Sequence, residues 1–293
     1  MLNDYIKYYD GKLEVLTSNE NIGSAGGYAL GLHAAIEASH EYLWLLDDDN
    51  LPQKNSLSSL LDAYLIYSGK MRKEELVLQS LRESLPEMLE ILTNNRPQAL
   101  PRPSSFIGFH VFNLLDFLFS KLFMNIQKDN LNLSHRQKFI RLHFAPYGGL
   151  FFHRDAIKMI GLPNPLFFLY ADDFAYTLNF TIQGGSLFLV TDSRIMDLEP
   201  VWNSVGERTS NLYRRLKVLS SSKTYYEVRN RIYLDRMLFP GHPIMYFINK
   251  WLYIIILGVF SLFYFCGARF KLIMRAINDG ENGHLGRREF GSD

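Results

Sequence analysis

Residues 41–52 read Glu-Tyr-Leu-Trp-Leu-Leu-Asp-Asp-Asp-Asn-Leu-Pro, and no other stretch restricts the fold as much. Tyr42 to Leu46 is an apolar run with the length and character of a short buried strand. It leads directly into Asp47, Asp48 and Asp49. Three adjacent anions repel one another, so a fold holds them best with a cation among them. Hard oxygen ligands at a strand end suit Mg²⁺ or Mn²⁺, and such an ion suits a diphosphate. The carboxyl end of a parallel strand is also where α/β sheets bind ligands. A solvated acidic loop is the alternative for an Asp triplet taken by itself.

The preceding residues reinforce the ligand-binding option. Leu13-Glu-Val-Leu16 has strand character, and Asn21-Ile-Gly-Ser-Ala-Gly-Gly27 is a glycine-rich turn opening into Tyr28 to Ser39. Leu30, Ala34 and Ala38, with Leu32, Ala35 and Ile36, recur at helical spacing. Strand, glycine turn, helix, strand and acid triplet together describe a βαβ unit. Glycines at a helix start let a phosphate or ribose approach free backbone N–H groups.

Asn21-Ile-Gly-Ser-Ala-Gly-Gly27, then Trp44-Leu-Leu-Asp-Asp-Asp49 and Pro52, resembles the donor half of a family 2 glycosyltransferase of GT-A fold. The resemblance implies donor binding by Asn21, Gly23, Gly26, Gly27, Asp47 and Asp48. It also implies a metal, Mn²⁺ or Mg²⁺, held by Asp47 and Asp49. The galactofuranosyl- and rhamnosyltransferase branch is the nearest likeness, which implies a UDP- or dTDP-linked sugar donor.

A second acidic group follows at Pro165-Leu-Phe-Phe-Leu-Tyr-Ala-Asp-Asp-Phe174, after the glycine kink Pro146-Tyr-Gly-Gly149. This resembles the acceptor half of the same family, where a Gly-Gly segment lines the acceptor cleft and an acidic pair supplies the base. Gly148 and Gly149 would then border the acceptor, Asp173 would be the base and Asp172 its neighbour. Inverting transfer needs one carboxylate to take the acceptor hydroxyl's proton, and a second beside it raises the first one's pKa. Capping of the helix starting near Phe174 is the other role open to either residue. Where relatives place a histidine metal ligand, this chain offers Asp197, a competent hard ligand. Trp202 could stack on the acceptor sugar or simply pack. Tyr225-Tyr-Glu-Val-Arg-Asn230 resembles the family's Tyr-Tyr-x-x-Arg-Asn helix, which implies diphosphate binding by Arg229.

Between the two halves, residues 54–100 read as helical, with Leu57, Leu60, Leu61, Tyr64 and Leu65 on one stripe. Phe109 to Ile126 reads as a strongly apolar helix. Lys128 to His143 is basic, and is either a solvated face or a contact for anionic lipid. The expected domains are therefore a GT-A-like unit over 1–235, with a helical insertion at about 54–140, and a C-terminal membrane-associated element over 236–293. Relatives begin with two strands ahead of the Asn-x-Gly segment, so the first domain is expected to be N-terminally incomplete.

Composition narrows the function classes. A net charge of +1 gives no field for nucleic acid, and a hydrophobic content of 47% supplies a core. The single cysteine, Cys266, allows no internal disulfide and fits a reducing compartment. No secretory signal opens the chain. Trp251 to Ala268 carries no charge, a borderline transmembrane length. A helix in the bilayer surface is the first expectation, a true span the second and a homo-oligomer contact the third.

These features add up to an α/β chain transferring a sugar, with inversion, from a nucleotide donor to a lipid-linked glycan acceptor at the cytoplasmic face of the membrane. The rival is a catalytically inactive remnant or a scaffold in a polysaccharide assembly complex. A metal-dependent phosphohydrolase built on Asp47 to Asp49 lacks the surrounding His and Lys residues it would need.

Overall fold

The structure is a computed structural model that describes residues 13–114, 116, 137–198 and 211–290. The chain is mixed α/β, with a central sheet covered by helices and one apolar helix near the C-terminus. This is the class expected from the sequence.

The sheet is built on β3 (Leu76–Arg82), every residue of which is buried. β3 pairs in parallel with β6 (Ser186–Asp197) and antiparallel with β5 (Leu150–His153). β5 in turn pairs antiparallel with β1 (Tyr42–Trp44). The other side of β6 carries β4 (Phe139–Leu142) and, further along, β2 (Asn50–Pro52), both antiparallel. Side chains alternate across β3 as a strand requires. Leu76 and Leu78 face α2 (Ser56–Ser68) and its Leu60 and Tyr64. Val77 and Leu81 join the larger core on the other face. α1 (Gly23–Glu37), α3 (Pro86–Asn94) and α4 (Asp172–Ile182) contribute Leu32, Met88, Ile91, Tyr176 and Phe180 to that core.

Three helices form the C-terminal layer: α5 (Ser221–Leu238), α6 (Pro243–Phe263) and α7 (Gly267–Glu281). α5 starts at Ser220, whose Oγ accepts the Lys223 N–H. α6 starts with Pro243 in its first turn, where a missing N–H costs nothing. Tyr225, Val228, Ile232, Tyr253, Leu257, Ile273 and Ile277 close a separate core among them.

Three expectations about local structure are corrected. Residues 54–100 are not continuously helical: β3 lies among them at the centre of the sheet. Its polar residues Gln79, Ser80 and Arg82 are all buried. Leu13 to Leu16 forms no strand and is exposed. Consequently there is no βαβ unit at the glycine turn, and β1 is paired antiparallel rather than parallel. Residues 111–114 and 116 are helical as expected and 109–110 are not, while 115, 117–126, Lys128 to Arg136 and Trp202 lie outside the described residues.

Candidate active site

Asp47, Asp48 and Asp49 from the β1–β2 connection and Asp172 and Asp173 from the start of α4 line one cavity of about 760 Å³. That is a size suited to a drug-sized or nucleotide-sized ligand. More than 120 residues separate the two groups in sequence, and the sheet brings them together.

On the triplet side the charges are already partnered. Tyr28, one turn into α1, donates its hydroxyl to Asp47 Oδ1 at 2.5 Å. Arg82, the last residue of β3, donates from Nη1 to Asp47 Oδ2 at 2.9 Å and from Nη2 to Asp197 Oδ1 at 2.6 Å. Asn50 Nδ2 donates to both Asp49 (3.1 Å) and Asp197 (2.8 Å), and Ser84 Oγ donates to the other oxygen of Asp197. Gly148 is pressed against this knot. A Cβ there would lie 2.5 Å from Asp47 Oδ2 and 2.6 Å from Arg82 Nη1, so only glycine fits. The expected ligand set of Asp47, Asp49 and Asp197 is therefore not assembled, because Arg82 sits between two of its members. Among the described residues no group of three or more metal-ligating side chains forms. The residues that do fit a divalent ion are exposed Asp48 and half-buried Asp49, whose Oδ2 accepts no hydrogen bond among the described residues. Burial, and next the charge of Asp197, raises the Asp49 pKa, the behaviour of a carboxylate short of a cation. One or two carboxylates suffice for Mg²⁺ or Mn²⁺ when substrate phosphates complete the shell.

The pair on α4 is held differently. Phe168, Tyr170 and Ala171 all have φ between +58° and +65°, conformations that cost energy in residues with a side chain. Arg229 and Asn230 of α5 hold this loop open. Asn230 Nδ2 donates to the carbonyls of Phe167 (3.0 Å), Leu169 (2.8 Å) and Tyr170 (2.8 Å). Arg229 Nη2 donates to Phe167 O at 3.0 Å and Nη1 to Gly286 O at 2.6 Å. At the end of the loop, Asp172 Oδ2 accepts from Ser24 Oγ at 2.8 Å, and Asp173 Oδ1 accepts the Phe174 N–H at 2.7 Å. Burial first, and the neighbouring Asp172 second, raises the Asp173 pKa to about 7. Burial also raises that of Asp172, with Ser24 opposing it. A carboxyl poised near 7 is suited to general base work. Buried Tyr147, whose Oη has no partner among the described residues, lines the cavity beside the pair. Burial and then Asp172 and Asp173 keep it protonated, a hydrogen-bond donor in waiting. Its ring centroid lies 4.2 Å from that of Tyr28, with the planes tilted by 32°, so the two phenols lie side by side between the acidic groups.

The structure redistributes several expected roles. Arg229 is 1% exposed and spent on backbone carbonyls, so it does not line the cavity. Asn21 is exposed and accepts the Gly23 N–H. Gly23 is required by its φ of +71° and by the Phe168 carbonyl packed on it, and Gly26 by the Ile22 side chain. Gly27 borders a separate cavity of about 330 Å³ between α1 and β1. Their neighbours Ser24 and Tyr28 face the acidic cavity instead. Likewise Gly148 and Gly149 (φ +103°) serve packing, and Pro146 and Tyr147 reach the wall. Sequence reasoning missed Arg82, Tyr28, Tyr147, Arg214, Lys223 and Glu227. Only the cationic spacing of Arg214 and Lys223 near the Tyr-Tyr-x-x-Arg-Asn helix offered a signal.

No protein-family model matches the chain, and no curated protein does. Among solved structures that resemble it is one described as GalNAc-T7 with UDP, GalNAc and Mn²⁺. The identity is 16% and the TM-score 0.44, over 97% of this chain and 48% of that one. The chain thus spans about half the length of the solved structure it matches.

Proposed function

We propose that the chain is an inverting glycosyltransferase of GT-A type that uses a nucleotide-diphosphate sugar. The observation that carries this is the meeting of Asp47–Asp49 and Asp172–Asp173 on one cavity, with a partnered carboxylate group at one end and a desolvated one at the other. Asp173 takes the proton of an acceptor hydroxyl whose oxygen bonds to the anomeric carbon. The bond from that carbon to the donor's phosphate oxygen breaks, and the nucleoside diphosphate leaves. Asp172 keeps Asp173 basic through its charge, and Tyr147 offers a hydrogen bond to the bound sugar or acceptor. Asp48 and Asp49 would hold Mn²⁺ or Mg²⁺, which when bound neutralises the leaving diphosphate. UDP-galactofuranose and dTDP-rhamnose are the donors to test first. Turnover of either on a lipid-linked glycan, lost in Asp173→Asn with donor affinity kept, supports the assignment. A parent chain that binds neither UDP nor dTDP would point instead to an inactive scaffold.

The acceptor end of this reading is a membrane surface. α6 is the one helix among the described residues long and apolar enough to cross a bilayer. Its Ile244, Phe247, Trp251, Ile255, Val259 and Leu262 are exposed along one flank. The other flank is committed to protein: Asn249 is wholly buried, accepts the Val111 N–H at 3.0 Å and donates to Ser104 O at 2.9 Å. A helix engaged along its length in this way meets lipid from the side, which favours lying in the cytoplasmic leaflet over spanning it. Flotation with anionic liposomes, abolished by Phe247→Glu with Trp251→Glu, is the expected result. A detergent-free dimer through the same flank would replace lipid with a second copy.

A further inference from the structure

Arg82 has no part in the proton transfer above, yet it is the most completely enclosed cation on the cavity wall. Its side chain is 9% exposed, and it bridges Asp47 and Asp197. Two of its N–H groups make those bonds. Among the described residues, the other two on the terminal nitrogens have no hydrogen-bond partner, and Nε is buried without one. Asp197 is 1% exposed, and both its oxygens are taken, by Arg82 and Asn50 on one side and Ser84 on the other. For Asp197 to join an ion's shell it would have to loosen its bond to Arg82, leaving that enclosed guanidinium with Asp47 as its one remaining ion-pair partner among the described residues.

We propose that Arg82 is the resident cation at the diphosphate end of the cavity. It keeps Asp47 and Asp197 out of the inner shell of a divalent ion, and turns its spare N–H groups to the phosphate oxygens of the donor. Asp197 is then a positioning residue for Arg82 and not a metal ligand. A guanidinium is suited to both tasks, because its fixed planar fork serves a carboxylate on one edge and a phosphate on another. With Asp47 and Asp197 committed to Arg82, Asp48 and Asp49 remain as the seat for an ion arriving with the phosphates. The identity of the anion rests on the glycosyltransferase reading; the chemistry of Arg82 does not.

The test uses the full chain with Mn²⁺ alone and with inorganic pyrophosphate, read by the paramagnetic resonance of free Mn²⁺ and by calorimetry. Arg82→Lys should weaken pyrophosphate binding by about tenfold or more, since the fork is lost while the charge stays. Asp197→Asn should change Mn²⁺ affinity in the presence of pyrophosphate by less than about threefold, well short of the loss expected for a ligand. Arg82→Gln should gain Mn²⁺ affinity without pyrophosphate, as Asp47 and Asp197 become open beside Asp49. Should that variant fail to fold, Arg82→Gln with Asp197→Asn removes the surplus charge, and Arg82→Lys still decides the phosphate role. Unchanged pyrophosphate affinity in Arg82→Lys, or a loss of about tenfold or more in Asp197→Asn, overturns the proposal. A parent that binds pyrophosphate but neither UDP nor dTDP would retain it and sink the sugar-nucleotide reading alone.

Discussion

The two carboxylate groups of the cavity are kept in opposite ways. The Asp47 carboxylate accepts from Tyr28 and Arg82, and Asn50 beside it cross-links Asp49 to Asp197. Asp173 makes no ion pair among the described residues, accepts one backbone N–H, and has a like-charged neighbour. The first arrangement fixes geometry and spends charge; the second leaves charge unspent and shifts a proton affinity. Binding a polyanion calls for the former and moving a proton for the latter. The difference also runs to the backbone. The triplet follows a paired strand, whereas the pair follows a loop of positive-φ residues held open by α5.

The comparison breaks most decisively at Asp173. Asp173→Asn should lower kcat by about 10²–10⁴-fold, the range of a lost general base, with UDP or dTDP affinity unchanged by calorimetry. A loss of nucleotide binding instead would make the two groups one. Asp49→Ala should do the reverse, weakening Mn²⁺-dependent nucleotide binding by about tenfold or more while leaving metal-free binding as it was. Asn230→Ala tests the clamp. Losing its bonds to three loop carbonyls, one of them fully buried, should cost about 2–3 kcal/mol in urea unfolding, and kcat should fall although α5 contributes no reacting group. The smallest effect is a displacement in pH. Turnover should rise through about pH 7 as Asp173 ionises. Asp172→Asn removes the neighbouring charge, so the same rise should move to lower pH. Because folding raises the Asp173 pKa, the parent's fold should lose stability as pH climbs from the ordinary carboxylate range towards about 7.

Both acidic groups were legible in the sequence because they are contiguous. Asp47–Asp49 follows an apolar run and Asp172–Asp173 an aromatic one, and adjacency announces itself without any fold. The α/β class was legible for the same local reasons. What completes the site was hidden by distance or by ambiguity. Arg82 ends a strand whose leucines run on from the helical stripe of Leu57, Leu60, Leu61 and Leu65, so the stretch was read as helical. Arg229 sits in a motif that suggested phosphate, and only the fold shows its guanidinium facing the Phe167 carbonyl. The glycines marked the right turn, but their value is in packing against Phe168 and Ile22, while Ser24 and Tyr28 between them reach the cavity.

The loop clamp has a consequence for modularity. A backbone carrying three side-chain-bearing residues at positive φ stores on the order of 1–3 kcal/mol at each, and the restraint comes from residues some sixty positions away. Gly286, still further along, ties in as well, accepting from Arg229 and donating its N–H to Leu166 O at 2.7 Å. The sheet and α4 therefore do not make a transplantable catalytic unit. Grafted or shortened ahead of α5, they would keep every acidic residue and lose the aim of two of them, so the C-terminal helices belong to the active site's architecture as much as the strands do.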